Sequence, residues 1–152
     1  MTLHKNLYTV IQGNKIYSIN GNEPLINVYN SDSEKLEISF NLSTVEMLNS
    51  RLNFVEEEFQ KSKDSSVSYI LFEDAQIEND NLYLLYMSND GEKVSSNKIL
   101  HIKLPENNTF EVMNNFLLDR NGWFETFTIF DNQLLTFDRT SSTLPVYEIN
   151  GI

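Results

Sequence analysis

The sequence predicts an all-β chain: three consecutive four-stranded antiparallel units, with one helix inserted near residues 43–61. Three observations carry that expectation. Apolar and polar residues alternate in short runs, clusters of Asn, Asp, Gly and Ser separate the runs, and the run-turn-run pattern recurs three times. At 152 residues the chain has the length of one ordinary domain and reads as a single unit from 1 to 152.

The first copy opens with a strand near Leu7–Ile11, turns at Gly13-Asn14, and continues through Lys15–Ile19, Ile26–Tyr29 and Leu36–Phe40. From Ser43 to about Lys61 the period changes. Val45, Leu48, Leu52, Val55 and Phe59 recur at three- and four-residue intervals, the repeat of one helix face. Ser43 and Glu46 have the spacing of a capping box at its start. Glu46, Arg51, Glu56 and Glu57 read as its solvated face.

The second copy places strands at Tyr69–Ile77, Leu82–Met87 and Ile99–Lys103, with a longer loop across Ser88–Asn97. The third has strands near Phe124–Phe130, Leu134–Asp138 and Leu144–Ile149, and no fourth. The copies align on Asn14, Asn81 and Asn132, preceded by Ile11, Ile77 and Phe130. Ile16 to Ile26, Leu134 to Leu144, Val28 to Ile38 and Ile102 to Val112 are each ten positions apart, one strand plus one turn. Repeated four-stranded antiparallel units are the pattern of β-propeller blades. Three blades cannot close a ring, because closure takes about four or more. The chain therefore reads as part of a larger propeller, as half of a six-bladed pair of copies, or as sheets packed in a sandwich.

Composition narrows the function classes. With 22 acidic and 11 basic residues the net charge is -11, which opposes binding to nucleic-acid phosphates and anionic membrane surfaces. The acids divide evenly between the two halves, marking a general solubility surface rather than an acidic tail. No apolar run approaches the roughly 20 residues of a membrane helix. The absence of cysteine removes disulfides, thiolate catalysis and sulfur-based zinc sites. Met1–Tyr8 lacks a basic stretch followed by an apolar one, so, taken literally, the chain stays in the cytoplasm.

Asn79–Tyr86, Asn97–Leu100 with Ile102, and Phe127–Asn132 followed by Val146–Ile149 resemble the TolB-like six-bladed β-propeller proteins of Bacteroidetes. The likeness runs from about Leu7 to Ile149 and corresponds to the C-terminal half of such a propeller. It implies a fold and no reaction, because none of these motifs contains a catalytic residue. It also implies a bacterial envelope location if the chain is a fragment of a lipoprotein. The chain departs from the family in having half the blades and no lipoprotein cysteine.

In a propeller the first strand of each copy lines the channel, which brings Glu73, Asp74 and Glu125 to its mouth. Clustered hard oxygens would hold calcium, and one carboxylate beside others would act as a general base. Solvated channel-lining acids are the simpler reading. Trp123 would stack on a sugar or clamp a peptide, although packing is its commoner use. His101, alternating with Ile99 and Lys103, reads as exposed, and His4 as part of a frayed terminus. Asn79-Asp80-Asn81 and Asn89–Glu92 lack the spacing of a calcium loop and read as turns. No phosphate-binding glycine loop and no nucleophile elbow is present. The expected function is a non-catalytic scaffold binding a protein or glycan, with no cofactor beyond the calcium candidate; the alternative is a metal-dependent propeller hydrolase or lactonase-like enzyme. Expected partners include a second copy, or an N-terminal half, completing the propeller.

Overall fold

A computed structural model describes residues 7–62, 69–104 and 109–149. His4 lies outside the described residues. Among the described residues, eleven strands form three antiparallel sheets in chain order. The first contains β1 (Leu7–Gln12), β2 (Lys15–Asn20), β3 (Leu25–Asn30) and β4 (Lys35–Asn41). The middle sheet contains β5 (Phe72–Glu78), β6 (Asn81–Asp90), β7 (Lys93–Lys103) and β8 (Glu111–Leu117). The last has three strands, β9 (Phe124–Phe130), β10 (Gln133–Asp138) and β11 (Val146–Glu148). Each sheet is a meander in which every strand pairs with the one before it.

The turns follow from local chemistry. Asn79-Asp80 and Asp131-Asn132 have positive φ at both residues, the requirement of the two-residue turn that matches strand twist. Gly13, at φ +59°, opens the corresponding turn of the first copy. These turns correct the sequence alignment by one residue in the middle copy: Asn14 corresponds to Asp80 and Asn132, while Asn81 already belongs to β6 and pairs with Glu78. The equivalent cross-strand pairs are Ile11 with Ile16, Ile77 with Leu82, and Ile129, rather than Phe130, with Leu134. Two ten-residue spacings are true partners, Val28 with Ile38 and Ile102 with Val112. Ile16 instead pairs with Tyr29, and Ile26 with Ile19.

The sheets stack in three layers. Tyr17, Ile19, Ile26, Val28 and Phe40 of the first sheet meet Leu82, Leu84, Leu100 and Ile102 of the middle one in one core. Tyr83, Leu85 and Ile99, on the opposite face of the same middle strands, meet Phe124, Phe127 and Leu134 of the last sheet in a second core. Burial on both faces explains the continuous apolar run of β6, since only a strand covered on both sides dispenses with alternation. It also corrects the reading of His101. The ring is 4% exposed, stacked 4.5 Å from Tyr83, with Phe116 at 6.3 Å and Nε2 2.8 Å from Asn81 Oδ1.

The helical insertion starts later than its periodicity suggests. A 3-10 turn, Glu46–Leu48, precedes α1 (Asn49–Ser62). Val45 stands at the N-cap and no side chain caps it, so the Ser43–Glu46 capping box is not formed. Ser43 N–H is held by Asn41 Oδ1, and Leu42, Val45 and Leu48 anchor the turn in the core at the three-residue spacing of a 3-10 helix. Arg51 is not on a solvated face. It is 5% exposed and donates to Ile70 O through Nε and Nη2 and to Asn89 Oδ1 through Nη1. Its guanidinium lies over Phe54 and Tyr69, which desolvates it without leaving its donors unpaired. Among the described residues no helix is long and apolar enough to cross a membrane.

Candidate functional site

The first strands of the three sheets run side by side, and the site lies where they begin. In the pairing of β5 with β6, Phe72 faces Tyr86 and Asp74 faces Leu85, leaving Glu73 without a ladder partner. In β9 the same happens to Glu125, because Phe124 faces Asp138 and Thr126 faces Phe137. Both glutamates are therefore the extra residue of a β-bulge, a device that turns a side chain out of the pleat and bends the strand. They hold the same place in the repeat. Phe72-Glu73 and Phe124-Glu125 are 52 positions apart (124 minus 72), as are Ile77 and Ile129.

The next position in each copy ties neighbouring sheets together. The Tyr8 hydroxyl on β1 reaches the carbonyl oxygens of Phe72 (3.1 Å) and Glu73 (2.5 Å) on β5. Asp74 Oδ2 on β5 accepts from Thr126 Oγ1 (2.6 Å) and Phe127 N–H (3.1 Å) on β9, and its Oδ1 accepts from Ala75 N–H. These bonds cover the open inner edges of β5 and β9 and fix the spacing of the strand starts. Asp74 is thus a structural clamp, with both carboxylate oxygens engaged.

Glu125 accepts from Arg139 Nη1 at 2.9 Å. Burial, more than the neighbouring Glu125, pushes the half-buried Glu73 carboxyl above its ordinary value, while Arg139 and Arg51 pull it down. Trp123 is half-buried just ahead of β9. Its backbone N–H donates to Asp138 Oδ1, and its carbonyl accepts from the backbone N–H of Arg139, which ties the Trp123 backbone to the end of β10. Asp138 organises this corner. The Ser141 hydroxyl and the N–H groups of Trp123 and Thr140 donate to it and hold its carboxyl below the usual range. Gly122 is required here, since an added Cβ would lie 2.5 Å from Phe124 Cε2.

Glu73, Glu125 and Trp123 therefore mark one end of the inner strands, whereas Asp74 points into the join between sheets. Among the described residues no group of three or more His, Asp or Glu could hold a metal ion. Asp74 is committed to Thr126 and Phe127, and Glu125 to Arg139. Arg139 was missed from the sequence. The Asp138 and Ser/Thr turn chemistry around it is the only signal, because an arginine one residue beyond a strand otherwise reads as solvated. A recess of about 410 Å³ lies between α1 and the β6–β7 hairpin, with Glu57, Glu58, Lys61, Asn89 and Glu92 in its lining. Lys61 bridges Glu58 at 3.0 Å and Glu57 at 4.0 Å. It joins segments far apart in sequence, so no local pattern announces it. No family model matches the chain, and comparison with curated proteins finds no match.

Proposed function

We propose that the chain is a non-catalytic binding scaffold whose three stacked sheets serve as consecutive β-propeller blades. The end marked by Glu73, Glu125, Arg139 and Trp123 receives a protein or glycan ligand. The observation that carries this reading is the commitment of two of the three inner-strand acids, Asp74 and Glu125. A hydrolytic carboxylate must be free to meet water or metal, whereas Asp74 is clamped and Glu125 is paired. A half-buried tryptophan at the start of the strand that carries the Glu125–Arg139 pair suits polar ligands with an apolar face, such as sugars and peptide side chains. The blade reading is supported by the meander order of each sheet and by the recurrence of Phe-Glu bulges on adjacent inner strands. Three blades need more to close a ring, which a second copy or an N-terminal half would supply.

Saturation-transfer NMR against neutral oligosaccharides and short peptides tests the scaffold reading. Binding without turnover, weakened roughly tenfold by Trp123→Ala, is the expected result. Turnover abolished by Glu73→Gln would replace it with the metal-dependent hydrolase reading, for which the raised Glu73 carboxyl is the one supporting observation.

A further inference from the structure

The repeat builds the same backbone around Glu73 and Glu125 but gives the two glutamates different partners. Arg139 N–H donates to Trp123 O, immediately ahead of Phe124-Glu125, at 2.8 Å. Met87 N–H donates to Leu71 O, immediately ahead of Phe72-Glu73, at the same 2.8 Å. Arg139 follows Met87 by 52 positions (139 minus 87) and Trp123 follows Leu71 by 52 (123 minus 71), the offset that relates the two glutamates. Met87 therefore stands in the middle copy where Arg139 stands in the last.

The side chains at that place decide the difference. Arg139 extends to Glu125 and closes an ion pair at 2.9 Å. Met87 is buried and carries no charge. Among the described residues the Glu73 carboxylate has neither a hydrogen bond nor an ion pair. Two arginines lie close enough to act on its charge, and both are bonded elsewhere: Arg139 to Glu125, and Arg51 to Ile70 O and Asn89 Oδ1. Burial without a partner raises the Glu73 carboxyl above its ordinary value. The backbone beneath it is held from both sides, by the Tyr8 hydroxyl on the carbonyls of Phe72 and Glu73 and by Asp74 on Thr126 and Phe127. A ligand that pairs with Glu73 therefore has only one side chain to order.

We propose that Glu73 recognises an arginine side chain of a partner polypeptide, whose guanidinium takes on Glu73 the place that Arg139 takes on Glu125. This recognition rests on the binding reading above and narrows its ligand from protein or glycan to a basic peptide segment. A guanidinium suits the position because its planar fork donates two hydrogen bonds to one carboxylate. It is also more weakly hydrated than an ammonium, so it loses less on reaching a half-buried partner. The hydroxyls of a neutral sugar can hydrogen-bond the carboxylate but leave its charge unpaired. The net charge of -11 draws basic segments toward the whole surface, and Glu73 supplies a contact that discriminates among them.

The test is an amide chemical-shift titration of the full chain with acetyl-Gly-Gly-Arg-Gly-Gly-amide, with the same peptide carrying citrulline, the neutral isostere of arginine, and with maltohexaose. The arginine peptide should bind roughly tenfold more tightly than the citrulline peptide, with the largest shifts at Phe72–Asp74. Glu73→Gln should remove that preference, whereas Glu56→Gln, on the exposed side of α1, should keep it. In the parent the preference should shrink as pH falls toward 4.5 and the raised carboxyl takes up its proton. Equal affinity for the two peptides, or a preference that survives Glu73→Gln, would overturn the proposal. The citrulline comparison needs no variant, so it decides the matter even if Glu73→Gln unfolds. Maltohexaose binding that Trp123→Ala weakens, with no arginine preference, would overturn this recognition and leave the binding reading standing. Failure of all three ligands to bind would remove both.

Discussion

Ile16 and Leu82 occupy the same place in two copies of the repeat, and their surroundings differ entirely. Each stands two residues after the hairpin turn, opposite Ile11 and Ile77 respectively. Leu82 is fully buried against the first sheet. Ile16 sits on the outward face of the first sheet, beside an Ile11 that is 68% exposed. The last sheet mirrors this: Leu134 is buried against the middle sheet, while Leu135, Val146 and Leu144 stand exposed. Among the described residues, only the middle sheet is covered on both faces.

The largest effects should separate the two environments. Leu82→Ala is expected to cost about 2–5 kcal/mol by urea denaturation, and Ile16→Ala about 1 kcal/mol or less. Equal costs would mean that the outer face of the first sheet is covered. Next come the ties between sheets. Asp74→Ala leaves Phe127 N–H and Thr126 Oγ1 without their acceptor and should cost about 1–3 kcal/mol, with Asp74→Asn recovering part of it. An unchanged denaturation midpoint for both variants would remove the clamp from the account.

The two filled interfaces differ in their response to pH. The interface with the first sheet is apolar, whereas the middle sheet contributes His101 to the other, where burial lowers its pKa below 6.5. The folded state then binds the proton less readily than the unfolded chain, so this contribution is fully present above pH 6.5. It declines as pH falls from there toward the folded-state value. His101→Phe, which keeps a ring between Tyr83 and Phe116, should flatten the melting-temperature profile below pH 6.5. An unaltered profile would place the titration elsewhere.

Glu73 gives the smallest effect and the opposite sign. Its carboxyl is raised above 4.5, so the folded state holds the proton longer and stability falls as pH rises through that window. Glu73→Gln should raise stability at pH 7 by less than about 1 kcal/mol and leave it unchanged below pH 4. Destabilisation at pH 7 would mean that Arg139 and Arg51 outweigh the burial.

Strands and hairpins were legible because their determinants are local. Asn79-Asp80 and Asp131-Asn132 announce their turns, and the Val28–Ile38 and Ile102–Val112 spacings give register directly. Burial on the second face of a sheet is set by a distant segment, which is why His101 read as exposed. The missed signal was the unbroken apolar run of β6, whose neighbours on β7 must be covered whenever it is. The bulges at Glu73 and Glu125 escaped notice because one extra residue only shifts the phase of an alternation already short. Arg51 followed helical periodicity onto the polar face, while its guanidinium reached the carbonyl of Ile70 across the chain. The matching places of Glu73 and Glu125 follow from assuming that each copy begins with an inner strand; Arg139 and the role of Asp74 need the third dimension.

The layered arrangement, with the middle sheet shared between two cores, is tested most directly by residue-resolved amide hydrogen exchange. The amides of β6 and β7 should exchange only through global unfolding, with those of β2 and β10 opening at lower free energy. Equal protection of all three sheets, or slower exchange in β10 than in β6, would contradict it.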